Sequence, residues 1–180
     1  MSAPETVIEG NRNQQKATSV RQFIRTISKM FHPGDFYKGL PHRNGYTSPL
    51  VFLFLCSIFF AILCSIFVVQ KRMIFAVMFF LNAFSTPFIT AFILFLVTIL
   101  FCKDVFSYNK LFGITAYANV TLLISWIPGL AGPTEVLKVF LIGLGMVKAG
   151  RISSLKAFMC LVTGAAILLL LIHFVHPILN

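Results

Sequence analysis

From residue 49 onward the chain is written in long apolar runs separated by short charged turns. Residues 49–69 hold no charged side chain and end at Gln70, Lys71 and Arg72. At about 1.5 Å per residue, a helix of that length covers the roughly 30 Å hydrocarbon core of a bilayer. The next run, 73–102, is too long for one straight crossing and too short for two. A break between Asn82 and Pro87 resolves the conflict, because Ser85 or Thr86 can cap a helix whose first turn contains Pro87. The pattern therefore predicts an interfacial or dipping helix over 73–84 and a second span over 86–102. One helix kinked at Pro87 is the alternative. After the turn holding Lys103, Asp104 and Lys110, spans follow over 111–128 and 134–148, joined across Pro128, Gly129, Gly132 and Pro133. The second of these is short for a crossing. Ser153 is a candidate cap for the last span, 155–175, which His176 and Pro177 close.

Ahead of the spans the pattern changes twice. Residues 1–17 lack apolar periodicity and predict a mobile polar tail. From Thr18, the residues Val20, Phe23, Ile24, Ile27, Met30 and Phe31 repeat at helical spacing, with Arg21, Arg25 and Lys29 beside them. That arrangement predicts a basic amphipathic helix lying in the headgroup region, with those three cations against anionic lipid. A short second turn over residues 35–40 completes a cytoplasmic interfacial stretch, 18–48, and the membrane domain occupies 49–176.

Composition agrees with the pattern. The 180 residues are 58% hydrophobic and only 11% charged, against roughly a quarter charged in soluble domains. The net charge of +10 carries no nucleic-acid module with it, because the cations flank apolar runs. Of the fifteen Lys and Arg, seven lie in the head, two in the 103–110 turn and three in the 148–156 loop. Five spans put all twelve on one side, which orients the N-terminus to the cytoplasm and the C-terminus outside. No cleavable signal peptide is expected. Cys56, Cys64, Cys102 and Cys160 have no C-x-x-C spacing and read as inert small hydrophobes.

Candidate chemistry concentrates in the 111–148 hairpin. Tyr117, Asn119 and Thr121 sit mid-span, and Glu135 and Lys138 are three apart on one helix face. Buried polar groups in hydrocarbon must find partners within the protein. These five residues, with Asn82 beside Pro87, form the expected polar interior. Tyr117, Asn119 and Thr121 read as interhelical glue or a cavity lining, and Glu135 with Lys138 as an interfacial pair or a buried one. His173 and His176 lack a third ligand, so no metal site is expected. No phosphate loop, nucleophile elbow or carboxylate dyad is present, so neither catalysis nor a cofactor is expected.

Three segments carry a family likeness: HPGDFYKGLPHRNGYTSPLVF ahead of the first span, F-S-x-x-x-L-F-G-I-T-A-Y-A from Phe106 with Pro128 beyond it, and GLGMVKAGRISSLKA over Gly143–Ala157. Over residues 31–175 the chain resembles the Yip family of Ypt- or Rab-interacting membrane proteins (the Yip-one domain), in a compact prokaryotic-type form. The resemblance implies a cytoplasmic N-terminus, five spans, and a non-enzymatic protein that organises membrane or recruits partners at the cytoplasmic face. It implies a bacterial inner membrane as the location, with lipid, other membrane proteins or a homo-oligomer as partners. A small transporter or lipid-moving protein using the polar hairpin, and an accessory subunit of a larger complex, are the other expectations. The fold class expected is all-α, a polytopic membrane protein of five transmembrane helices.

Overall fold

The computed structural model describes Tyr37 and residues 46–67, 72–102 and 105–179. The polar tail, the basic helix expected over 18–31 with Arg21, Arg25 and Lys29, and all of 18–48 save Tyr37 and residues 46–48 lie outside them. Among the described residues every regular element is helical.

Helix α1, Thr47–Ile66, begins at the first apolar run. It tolerates Pro49 because the opening N–H groups of a helix have no intrahelical partner. Helix α2, Arg72–Cys102, is one continuous helix with Pro87 inside it, which corrects the expected interfacial piece over 73–84. Pro87 withholds one N–H from the ladder, yet the helix does not end there. The Thr86 hydroxyl turns back onto the Asn82 carbonyl at 2.6 Å instead of capping a new helix. Pro87 is fully buried, and the Thr115 hydroxyl of a neighbouring helix reaches its carbonyl at 3.3 Å. Neighbouring helices and local hydroxyls are what allow a proline inside an apolar helix.

The third apolar run is not uniform. It forms α3, Tyr108–Ala118, then a tight 3-10 turn, Asn119–Thr121, then the short α4, Leu122–Ser125. The chain reverses over 126–130, where Gly129 takes φ +88°, a value that L side chains rarely adopt. Helix α5 then runs Ala131–Gly150. Gly132 and Pro133, expected in the turn, belong to its first turn, where proline loses nothing. The expected short span is therefore 20 residues long. Helix α6, Ser154–Leu179, continues past His176 and Pro177.

Ring contacts set the directions. Phe54 packs edge-on against Phe80 and Phe84, and Phe60 against Phe79, so α1 and α2 run antiparallel. Tyr46 meets Phe112, Phe52 meets Tyr117 and Phe67 meets Trp126, so α1 runs parallel to the third run. Gly145 lies against Ile114 and Gly150 against the Phe106 ring, so α5 returns antiparallel to α3. Leu94 beside Gly164 and Cys102 beside Cys160 set α6 antiparallel to α2. The result is an up-and-down bundle with α3 at its centre: α3 packs on α1, α2 and α5, and every residue from 111 to 119 is buried. The outside is apolar. Ile62, Met73, Met78, Leu100, Val136, Phe140, Leu155 and Leu169 are all exposed. Helices α1 and α2 are long and apolar enough to cross a membrane.

The two glycines of α5 separate close packing from open space. A Cβ at Gly150 would enter the Phe106 ring, whereas one at Gly132 meets nothing within 4 Å. Gly150→Ala should cost about 1–3 kcal/mol by overpacking, read as a lowered Tm in detergent. Gly132→Ala should hold or raise Tm, by about 2–4 °C per kcal/mol gained.

Candidate functional site

A helix buried on all sides leaves its polar side chains nothing but protein to bond. In α3 the Thr115 hydroxyl lies 3.1 Å from the carbonyls of Leu111 and Phe112 as well as near Pro87. The Tyr117 hydroxyl pairs with Ser48 Oγ of α1 at 3.1 Å. Asn119 donates from Nδ2 to the Thr115 carbonyl at 2.9 Å, and Thr121 from Oγ1 to the Ala118 carbonyl at 3.2 Å. Asparagine competes with the backbone for local hydrogen bonds, and here it does so at the point where α3 tightens into the 3-10 turn. Tyr117, Asn119 and Thr121 are each at most 3% exposed. Among the described residues of α1 and the third run, Asn119 Oδ1 and Ser57 Oγ are buried without a partner.

Lys138 occupies the inward face of α5, which also carries Thr134, Leu141, Ile142, Gly145, Met146 and Ala149. Counting back from the Gly145–Ile114 contact in antiparallel register sets Lys138 level with Thr121. Its side chain is 11% exposed, that of Glu135 is 64% exposed, and Nζ lies 3.8 Å from Glu135 Oε2. The pair is thus a buried cation reaching for a carboxylate at the surface.

Two of the expected interior residues are not interior. Glu135 is exposed because the opening of α5 is little covered: of residues 131–140 only Thr134 and Lys138 are buried. Asn82 is exposed on α2, one position away from the buried Ala83, and its carbonyl and Oδ1 both serve Thr86. The structure adds Ser57, on the stripe Pro49, Leu53, Ser57, Ala61, whose four-residue spacing was the available signal. It also adds a thiol pair, Cys102 and Cys160, with Sγ atoms 3.9 Å apart across α2 and α6. No spacing rule joins residues so distant in sequence.

At the end of the bundle where α3 and α6 begin, Lys110 sits 5.4 Å above the Phe106 ring. Burial, and then the Arg151 guanidinium, hold its pKa below the usual lysine range. Arg151 ends α5 in the left-handed region at φ 52°. Ser153 Oγ accepts from the Lys156 amide at 3.4 Å, the cap expected for α6. Among the described residues no group of three or more His, Cys, Asp or Glu side chains could hold a metal ion. Comparison with family models, with curated proteins and with solved structures returns no match to this chain.

Removing one partner of a buried charge pair strands the other, whereas replacing the buried charge by an apolar isostere does not. Glu135→Gln should therefore lower Tm more than Lys138→Met. Adding Lys138→Met to Glu135→Gln should recover most of the loss in the same thermal scan.

Proposed function

We propose that the chain is a five-span integral membrane protein of the Yip type, non-enzymatic, which organises membrane or recruits partners at the cytoplasmic face. The carrying observation is the complete burial of residues 111–119 inside a bundle whose outer surface is apolar. Polar side chains in the third run bond either across to α1 and α2, as Tyr117 and Thr115 do, or back onto their own run, as Asn119 and Thr121 do, which is what a packed scaffold requires and a passage does not. An exposed apolar surface of this extent would be covered by water only at large cost; acyl chains cover it at none.

Five crossings follow from treating the α3–α4 run, α5 and α6 as spans beside α1 and α2. At 20 and 26 residues, α5 and α6 reach roughly 30 Å or more. Up-and-down packing of five spans brings Lys110, Lys148, Arg151 and Lys156 to one end. The positive-inside bias makes that end cytoplasmic, in our reading that of a bacterial inner membrane, with anionic headgroups, other membrane proteins or a second copy as partners. A second reading, a small transporter, draws on the interruption of the third run at Asn119–Thr121 and on the buried Lys138, since transporters break helices where they bind. An accessory-subunit role draws on the same packed bundle.

Single cysteines in a cysteine-free background test both parts with an impermeant thiol reagent. Ser107→Cys should label from the cytoplasmic side alone and Gly129→Cys from the outside alone. Asn119→Cys should label from neither. Labelling of position 119 from either side would favour the transporter, and labelling of 107 and 129 from one side would remove the five-span topology.

A further inference from the structure

Helical register sets the two unpartnered oxygens, Ser57 Oγ and Asn119 Oδ1, in one layer of the bundle. Leu53, Ala91, Phe112 and Ala116 form a cluster between α1, α2 and α3. Helices α1 and α3 run parallel, so one turn onward from Leu53 is Ser57, and one turn onward from Ala116 is the Asn119–Val120 step. Helix α2 runs the other way. Its Pro87 carbonyl is met by Thr115, so one turn back along α2, at Ala83, the chain is level with Asn119.

Ala83 adds a third oxygen. Its carbonyl would ordinarily accept from the N–H of residue 87, and Pro87 has none. Ala83 is buried at 8% exposure, Ser57 at 0% and Asn119 at 1%. The Thr86 hydroxyl cannot help, because it is spent on Asn82. Asn119 Nδ2 is likewise committed to the Thr115 carbonyl. Register therefore sets two pure acceptors and one hydroxyl at one level of α1, α2 and the third run, and the missing component is a donor. Orphaned groups this deep are rare, and an ordered water is the ordinary reason for them.

We propose that this junction binds one internal water molecule, which donates to Asn119 Oδ1 and to the Ala83 carbonyl and accepts from the Ser57 hydroxyl. Its two hydrogens and one of its two lone pairs match the three groups, and three hydrogen bonds are the usual number for a buried water. The water supplies the hydrogen bond that Pro87 denies to α2, and it does so beside the 3-10 turn of the third run. The alternative occupant of three oxygens, a sodium ion, is disfavoured by the Lys138 ammonium in the neighbouring layer. This inference stands apart from the proposed function, because a scaffold and a transporter can both hold such a water.

The test pairs a lipidic-phase crystal structure of the full chain, at a resolution that shows waters, with thermal unfolding in NaCl or choline chloride. One density peak at about 2.6–3.2 Å from all three oxygens is expected. Ser57→Ala and Asn119→Leu should each lower Tm by on the order of 3–6 °C, and the double variant should fall no further than the worse single one. A direct bond from Ser57 to Asn119 with no peak between them would overturn the proposal, as would additive losses. Stabilisation of the unsubstituted chain by NaCl over choline chloride would replace the water with a cation.

Discussion

One constraint governs this molecule: the central helix is enclosed, so each polar group on it must find its partner inside the bundle. That constraint explains why Thr115 reaches for a proline carbonyl on another helix, why Tyr117 reaches for Ser48, and why Asn119 folds back on Thr115. Each such bond is worth only about 0.6–2 kcal/mol, but leaving its members bare in an apolar interior costs more than making it gains. The arrangement therefore selects one register of α1, α2 and α3 over its neighbours, in the way that a buried polar group fixes alignment where bulk hydrophobicity is indifferent to it.

Much of the fold was readable along the chain. Run lengths gave the helices and their order, and the polar content of residues 113–125 marked the third run as one that meets protein. Four of the six residues assigned to the interior, Tyr117, Asn119, Thr121 and Lys138, are inside. What could not be read was anything decided by a second helix. Pro87 breaks a helix in isolation, and the bonds around it that let α2 continue come partly from Thr115, 28 residues away. Asn82 is beside the buried stripe and not on it, a difference of one residue that no composition rule sees. Glu135 and Lys138, left open between an interfacial and a buried pair, divide, with the carboxylate exposed and the ammonium inside; α5 itself begins three residues earlier than the run suggested, because a first turn accommodates Pro133. Ser57 looked like one more small residue in an apolar run until its neighbours were known.

Two weaknesses in the ladder lie at the same depth. Pro87 interrupts the bonding of α2, and the 3-10 turn tightens the third run immediately alongside. Gathering both in one layer means that the same few groups stabilise both, and that the rest of each helix can be plain apolar surface. The end carrying Phe106, Lys110, Gly150 and Arg151 has the opposite character: a ring packed on a glycine backbone, with the cations arranged around it.

The central claim, that the third run is wrapped in protein while α2 and α5 meet acyl chains, is tested most directly on the unsubstituted chain in a bilayer. Photolysis of a diazirine placed deep in the lipid acyl chain, followed by mass spectrometry of the adducts, maps the lipid-facing residues in one measurement. The account predicts adducts on Leu81, Ile89, Phe92, Leu100, Val136 and Phe140, and none from 111 to 119. Adducts within 111–119 at the level of those on α2 would contradict it.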